Sequence, residues 1–233
     1  MSQISDEPAI SPEVDPGKPS LRKWGQPLLI WGLAIAAIAR LWPGSWPRAE
    51  LVVLASLQTL ANGWQPSYDL LSGDGPGEDR RTAIQIVWSC YAVQVLALVE
   101  WVWRRPPLAF PSWWAWLGLG VAIGGLALRT WAVWTLGRFF HWHVAIAPDQ
   151  PLVTGGPYRW IRHPSYSGAF MLFLGSCCWL GSGLAAVACL ILLPLAFSRR
   201  IRLEEGLLVE RLDGYRAYME RTGALWPRWP LHV

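Results

Sequence analysis

Two short stretches of this chain gather side chains that can hold charge and handle protons. The first runs Gln150-Pro151-Leu152-Val153-Thr154-Gly155-Gly156-Pro157-Tyr158-Arg159-Trp160-Ile161-Arg162-His163-Pro164-Ser165-Tyr166. Guanidinium, imidazole and phenol groups lie together there, and the glycines and prolines set the turns that hold them. Such a cluster suits an anionic ligand, although arginines at a membrane surface also anchor to headgroups and set topology. The second stretch is Arg199-Arg200-Ile201-Arg202-Leu203-Glu204-Glu205. Arg200 and Glu204 are four residues apart and share a face if the segment is helical. They form either a simple surface ion pair or a two-part site. In the second case Glu204 would take a ligand amine or hydroxyl and Arg200 a ligand carboxylate.

Other candidates are weaker in chemistry. On a strand, the imidazoles of His141 and His143 would share a face. No cysteine lies nearby and no third ligand is evident, so no metal is expected. Glu100 and Arg129 fall in or near apolar stretches, where ionisable groups are costly and call for a functional hypothesis or an interhelical pair. Cys90, Cys177, Cys178 and Cys189 all sit in apolar sequence without a CxxC motif. They read as small buried hydrophobes rather than a disulfide framework. There is no phosphate loop and no dinucleotide fingerprint, and nucleic acid is not an expected partner.

The elements that must position these groups are membrane helices. Hydrophobic residues make up 53% of the chain and charged residues only 15%, whereas about a quarter of a soluble domain is charged. The 18 tryptophans suit membrane interfaces, where an apolar ring and a polar N–H are both satisfied. Apolar spans are expected at 26–42, 49–64, 83–103 and 113–136. Residues 65–82 read as a solvated loop. In the fourth span, Gly118, Gly120, Gly124 and Gly125 would let a neighbouring helix approach closely. The apolar stretch 166–197 is broken at Gly181-Ser182-Gly183. Each arm, at about 22 Å, falls short of a hydrocarbon core of about 30 Å, which points to a hairpin of two short spans or a re-entrant pair. From Ser198 onward, Leu203, Leu207, Leu208 and Leu212 recur at helical spacing, as in an amphipathic helix lying on the membrane.

The expected fold is therefore all-α: a polytopic bundle of five to six spans with a C-terminal helical hairpin and an amphipathic C-terminal helix. Residues 1–23 read as a disordered, Pro-rich tail rather than a signal peptide, residues 24–136 as the first four membrane helices, and 137–233 as a functional core. Basic residues orient the bundle. With the N-terminus inside, Lys18, Arg22, Lys23, Arg80, Arg81, Arg138, Arg159, Arg162 and the arginines from Arg199 to Arg228 share the inner side. The outer side holds Arg40, Arg48, Arg104 and Arg105. Both termini and the two chemical stretches would then be cytoplasmic.

The three blocks Gly156-Pro157-Tyr158-Arg159-x-x-Arg162-His163-Pro164-Ser165-Tyr166-x-Gly168, Arg200-x-x-x-Glu204-Glu205 and Tyr215-x-x-Tyr218-x-x-Arg221-Thr222 resemble the isoprenylcysteine carboxyl methyltransferase family. The wider group includes phospholipid N-methyltransferases. The likeness covers about residues 136–227. It implies an integral membrane enzyme that uses S-adenosyl-L-methionine, bound at the cytoplasmic helix ends beneath the C-terminal segment. Cofactor contacts implied by the resemblance are His143, Gln150, Pro151, Leu152, Val153, Tyr158, His163, Pro164, Ser165, Tyr166 and Glu204. Arg200 would face the methyl acceptor, and Arg200 and Glu204 would carry catalysis. The acceptor would be lipid-like or prenylated, entering sideways from the membrane lipids; an isoprenylcysteine, an aminophospholipid and a small thiol all remain compatible. Sterol reductases, which use a nicotinamide cofactor, share a related C-terminal architecture. Adjacent Glu204-Glu205 and the Arg-His-Pro-Ser-Tyr block favour the methyltransferase.

Overall fold

The computed structural model describes residues 21–41, 49–63, 77–104, 112–140 and 149–228. Every regular element among them is helical. The helices are α1 (Leu21–Leu41), α2 (Ala49–Gly63), α3 (Gly77–Arg104), α4 (Trp113–Leu136), α5 (Pro164–Trp179), α6 (Gly183–Arg211) and α7 (Tyr215–Arg221), with 3-10 turns at Gly137–Phe139 and Gly156–Arg159. The segments Arg81–Arg104, Trp113–Phe139 and Gly183–Arg211 are long and apolar enough to cross a membrane, while the apolar parts of α1 and α2 are shorter. Most of the tail read at 1–23 lies outside the described residues, and α1 already begins at Leu21.

Exposed tryptophans flank the apolar length of α4, the pattern of a membrane-interface belt. Trp113 and Trp114 at one end and Trp131 and Trp134 at the other are exposed. Trp114 and Trp134 are separated by about 30 Å of helix, the thickness of a hydrocarbon core.

Two helix boundaries depart from the sequence reading. Helix α3 starts at Gly77, inside the segment read as a loop to Thr82. Helix α6 runs unbroken for 29 residues through Pro194, so its arm is not short and no separate amphipathic helix begins at Ser198. At 1.5 Å per residue α6 is about 43 Å long. The cause is the same in both places. Loss of hydrophobicity marks the membrane boundary, whereas a helix ends only where backbone bonding fails. Nothing between Ser198 and Arg211 interrupts that bonding. Arg200 Nε donates to Glu204 Oε1 (3.0 Å) and Arg202 Nε to the Ser198 carbonyl (3.1 Å), each one turn away. The apolar residues Leu208 and Leu212 face a protein cavity rather than lipid. Only α7, after Gly214 with φ +80°, remains as a separate C-terminal helix.

The tightest packing is between α4 and α5. A methyl added at Gly118 would lie 2.6 Å from Cys178 Cβ, and one at Gly125 would lie 2.5 Å from the Gly168 carbonyl oxygen. Helix α5 returns the contact with Gly168 and Gly175, whose added Cβ atoms would meet α4 backbone at 2.5–2.6 Å. Gly120 has no such neighbour and Gly124 only the tip of Met171, so half of the expected glycine contacts form. Small residues at such a crossing let backbones touch, the main packing device inside lipid.

Elsewhere α3 packs on α6 through Ala97, Trp101, Ala185, Cys189, Leu193, Ala196 and Phe197, all buried. The Gln58 and Gln94 amides join α2 to α3 at 3.1 Å. Glu100 does not pair with Arg129. It accepts the Ala185 N–H (3.2 Å) at the start of α6, while Arg129 donates to the Ser165 carbonyl at the opposite end of the bundle. Both lie toward the C-terminal ends of successive helices that run in opposite directions, which puts them at opposite ends of the bundle.

Candidate active site

At that opposite end the helices line a partly open cavity of about 160 Å³. Its apolar wall is built by Leu136, Phe139, Phe140, Leu152, Val153, Leu208 and Leu212, and its polar wall by Arg129, Arg162, His163, Tyr166, Arg200 and Glu204. The cavity lies where α3, α4, α5 and α6 reach the edge of the tryptophan-bounded region.

Glu204 is the hub of the polar wall. Its Oε1 accepts from the Tyr166 hydroxyl at 2.5 Å and from Arg200 Nε at 3.0 Å, and its Oε2 faces His163 Nδ1 at 3.5 Å. The other imidazole nitrogen, Nε2, lies 3.1 Å from Glu205 Oε1, which also accepts from Arg162 Nε at 2.7 Å. His163 thus bridges two consecutive carboxylates. Its burial works against the imidazolium, but hydrogen bonds and charge from Glu204 and Glu205 outweigh this and raise its pKa above the ordinary value. Arg200 is held on its far side as well. Its NH1 group donates to the Asp79 carboxylate, to the Asp79 carbonyl (3.1 Å) and to Thr82 Oγ1 (3.2 Å).

The local backbone explains how these groups meet. Gly156 adopts φ +57°, and a Cβ there would fall 2.8 Å from Thr135 Oγ1. Only glycine therefore lets the 3-10 turn dock on α4. The turn buries Tyr158, whose hydroxyl points at the Ala132 carbonyl (3.4 Å) and whose carbonyl accepts the Tyr218 hydroxyl (2.6 Å). Burial pushes the Tyr158 and Tyr215 phenols well above their usual pKa and Tyr218 up to about 12, so all three remain donors. Residues 222–225 then strap the arginine–histidine pair in place. Arg162 N donates to the Gly223 carbonyl (2.9 Å), His163 N to the Ala224 carbonyl (2.9 Å), and Ser167 Oγ to the Leu225 carbonyl (2.6 Å). Pro164 starts α5 directly after His163, a position where its missing N–H is harmless.

The family model for the isoprenylcysteine carboxyl methyltransferase (ICMT) family matches residues 116–210. A probable protein-S-isoprenylcysteine O-methyltransferase of Oryza sativa subsp. japonica is 37% identical over 165 residues, covering 68% of this chain and 85% of the rice protein. The chain belongs to the isoprenylcysteine carboxyl methyltransferase family. Protein-S-isoprenylcysteine O-methyltransferases of Saccharomyces cerevisiae and Tribolium castaneum are 37% and 35% identical over 110 and 121 residues. The chain spans a little under half the length of these two, 46% and 43% respectively. The solved structure of the eukaryotic intramembrane Ras methyltransferase ICMT shares the fold, with a TM-score of 0.55 at 21% identity, over 89% of this chain and 86% of that one. As a member of this family the chain is an integral membrane protein.

Of the residues expected at the site of this family member, Gln150, Pro151, Leu152, Val153, Tyr158, His163, Ser165, Tyr166, Arg200 and Glu204 all line the one cavity. Pro164 is buried beside it as the first residue of α5 and does not line it. His143, with His141, lies outside the described residues. The site also contains groups that the sequence reading did not assign to it. Asp79, Thr82, Ala83 and Ile86 form an i, i+3, i+4, i+7 face on α3, with Ala83 and Ile86 lining the cavity. That spacing was legible, but only to a reading that allowed a helix to extend through polar sequence. Arg129, Glu205, Tyr215 and Tyr218 are further additions; the last three stand in the quoted motifs.

Proposed function

We propose that the chain is an S-adenosylmethionine-dependent carboxyl O-methyltransferase acting on a lipid-like or prenylated acceptor at the cytoplasmic face of a membrane. The observation that carries this reading is the convergence of Tyr166, Arg200 and His163 on Glu204 at the wall of the cavity. The residues present fit the cofactor by chemistry. Leu, Val and Phe side chains offer apolar faces to a purine, Glu204 offers negative charge to a sulfonium or an ammonium, and Arg129 and Arg162 offer cations to a carboxylate. When bound, S-adenosylmethionine supplies an electrophilic methyl group on a positively charged sulfur.

The protein then has three tasks. Arg200, with its plane set by Glu204 and Asp79, presents N–H groups to the acceptor carboxylate and aligns it for in-line attack. A carboxylate is already ionised at neutral pH, so no group need remove a proton. Glu204 is engaged by three partners, and its role here is to fix Tyr166, Arg200 and His163 and to place negative charge beside the cavity. The apolar wall keeps water from the reacting atoms. Six spans with both termini cytoplasmic are supported by the basic residues gathered at the cavity end of the bundle. Residues 137–233, completed by the start of α3, would form the functional core.

The test is incubation of the purified chain with methyl-labelled S-adenosylmethionine and a farnesylated cysteine bearing a free carboxylate. The expected product is a methyl ester, recognised because mild base releases the label as methanol. Glu204→Gln should lower the rate at least a hundredfold, in line with about 3 kcal/mol for a buried charged hydrogen bond. Base-stable label on an amine or thiol, or thermal protection by NADPH in place of S-adenosylhomocysteine, overturns the carboxyl assignment.

A further inference from the structure

The first turn of α3 reaches into the site from the half of the chain that precedes the 116–210 family segment. Asp79 is 4% exposed and Arg200 3%. Arg200 NH1 nests against the Asp79 carboxylate, the Asp79 carbonyl (3.1 Å) and Thr82 Oγ1 (3.2 Å), while Thr82 Oγ1 donates back to the Asp79 carbonyl at 2.9 Å. On the other side Arg200 Nε is tied to Glu204 Oε1 at 3.0 Å. A planar guanidinium fastened at both Nε and NH1 cannot swing about its side-chain axis. A buried ion pair is weak evidence of stabilisation, because apolar residues of the same volume would pack the helices as well or better. What the arrangement delivers is orientation. The neighbouring Arg199 shows the contrast: it carries the same group on the same helix but sits at the exposed surface, donating to Gln85 at 3.1 Å.

We infer that Asp79 is a positioning residue of the active site, fixing the Arg200 guanidinium toward the methyl acceptor so that the start of α3 is part of the acceptor-binding apparatus. The inference rests on the methyltransferase reading above. Asp79 is tied to the Arg200 guanidinium through its carboxylate and carbonyl, and to Thr82 through the same carbonyl, so its effect is expected on the acceptor that Arg200 faces. Thr82 supports the same contact, and Ala83 and Ile86 continue the face into the cavity wall.

The experiment measures three quantities for the full chain in nanodiscs: the acceptor KM with farnesylated cysteine, S-adenosylhomocysteine affinity by calorimetry, and ligand-free melting temperature. Variants are Asp79→Asn, Arg200→Lys, their combination, and Arg199→Gln as a surface control. Asp79→Asn is expected to raise the acceptor KM tenfold or more while S-adenosylhomocysteine affinity stays within twofold. The double variant is expected to be no worse than Arg200→Lys alone, since both changes break one unit. A KM within twofold of the wild type, or losses that multiply in the double variant, overturns the inference. Where Asp79→Asn does not fold, Asp79→Glu carries the test, because it keeps the charge and moves it by one methylene. A KM raised threefold or more with unchanged S-adenosylhomocysteine affinity supports the role, and an unchanged KM overturns it. If the wild type transfers no methyl, the methyltransferase reading fails separately. The melting temperatures then decide the contact: non-additive drops in the double variant support the Asp79–Arg200 unit, and additive drops overturn it.

Discussion

At the scale of the residue, His163 joins the two consecutive carboxylates of α6. It is 6% exposed and faces Glu204 at 3.5 Å and Glu205 at 3.1 Å. Its pKa is raised in the folded protein even though burial alone would lower it. The sign of the resulting pH dependence follows directly. Stabilisation from the imidazolium is fully present below the unfolded value of about 6.5 and is lost as pH rises through the higher folded value. Each tenfold preference of the folded state for the proton is worth about 1.4 kcal/mol, or about 3–5 °C of melting temperature in a chain of this size. Melting curves between pH 6 and 9 should therefore fall with rising pH for the wild type and be flatter for His163→Gln. Equal slopes would show that the bridge does not hold the proton. At this scale the sequence already displayed the chemistry: Tyr158, His163, Tyr166, Arg200 and Glu204 were all recognisable by type and spacing. It could not display that His163 and Tyr166 would join Arg200 on Glu204, because those two lie at the start of α5, more than thirty residues away in the chain.

At the scale of elements, the α4–α5 crossing sets the distance between Arg129 and the Ser165 segment. Gly125→Ala would place a methyl 2.5 Å from both the Gly168 oxygen and the Leu172 nitrogen. Backbone atoms cannot rotate away, so the helices must separate. Overpacking of this kind costs about 1–3 kcal/mol, and the same displacement should weaken S-adenosylhomocysteine binding. Gly120→Ala meets nothing within 4 Å and should leave melting unchanged or raise it, because alanine favours helix by about 1 kcal/mol over glycine. Melting temperatures and calorimetry on the two variants check the contrast, and equal behaviour would mean that the crossing is not glycine-limited. The glycines of α4 were visible as a packing signal, but which of them face α5 depends on the rotation of the helix. That rotation is set by Gly168 and Gly175 on the opposing surface.

At the scale of the whole molecule, the chemistry collects at one end of the bundle and the other end is closed by structural contacts. At the far end Ser182 Oγ donates to the Ala97 carbonyl (2.9 Å) and Glu100 accepts the Ala185 N–H (3.2 Å). The proposed orientation puts the cavity end in the cytoplasm and this far end outside. A cysteine introduced at exposed Glu220 should react with a membrane-impermeant maleimide only after cells are permeabilised, whereas one at exposed Ser112 should react in intact cells. The reverse pattern would invert the topology.

The sequence by itself determined the all-helical membrane character, the break at Gly181-Ser182-Gly183, the polar cluster at 150–166 and the Arg200–Glu204 spacing. These are properties of composition, breakers and local periodicity, which neighbouring residues are enough to express. Only the tertiary structure decided where α3 begins and that α6 continues past the membrane boundary. It likewise decided that Asp79 joins Arg200, and that residues 222–225 strap His163. Hydropathy reports where the bilayer ends, and these polar helical extensions lie beyond it. Their partners are distant in sequence, so only packing of the whole bundle could bring them together.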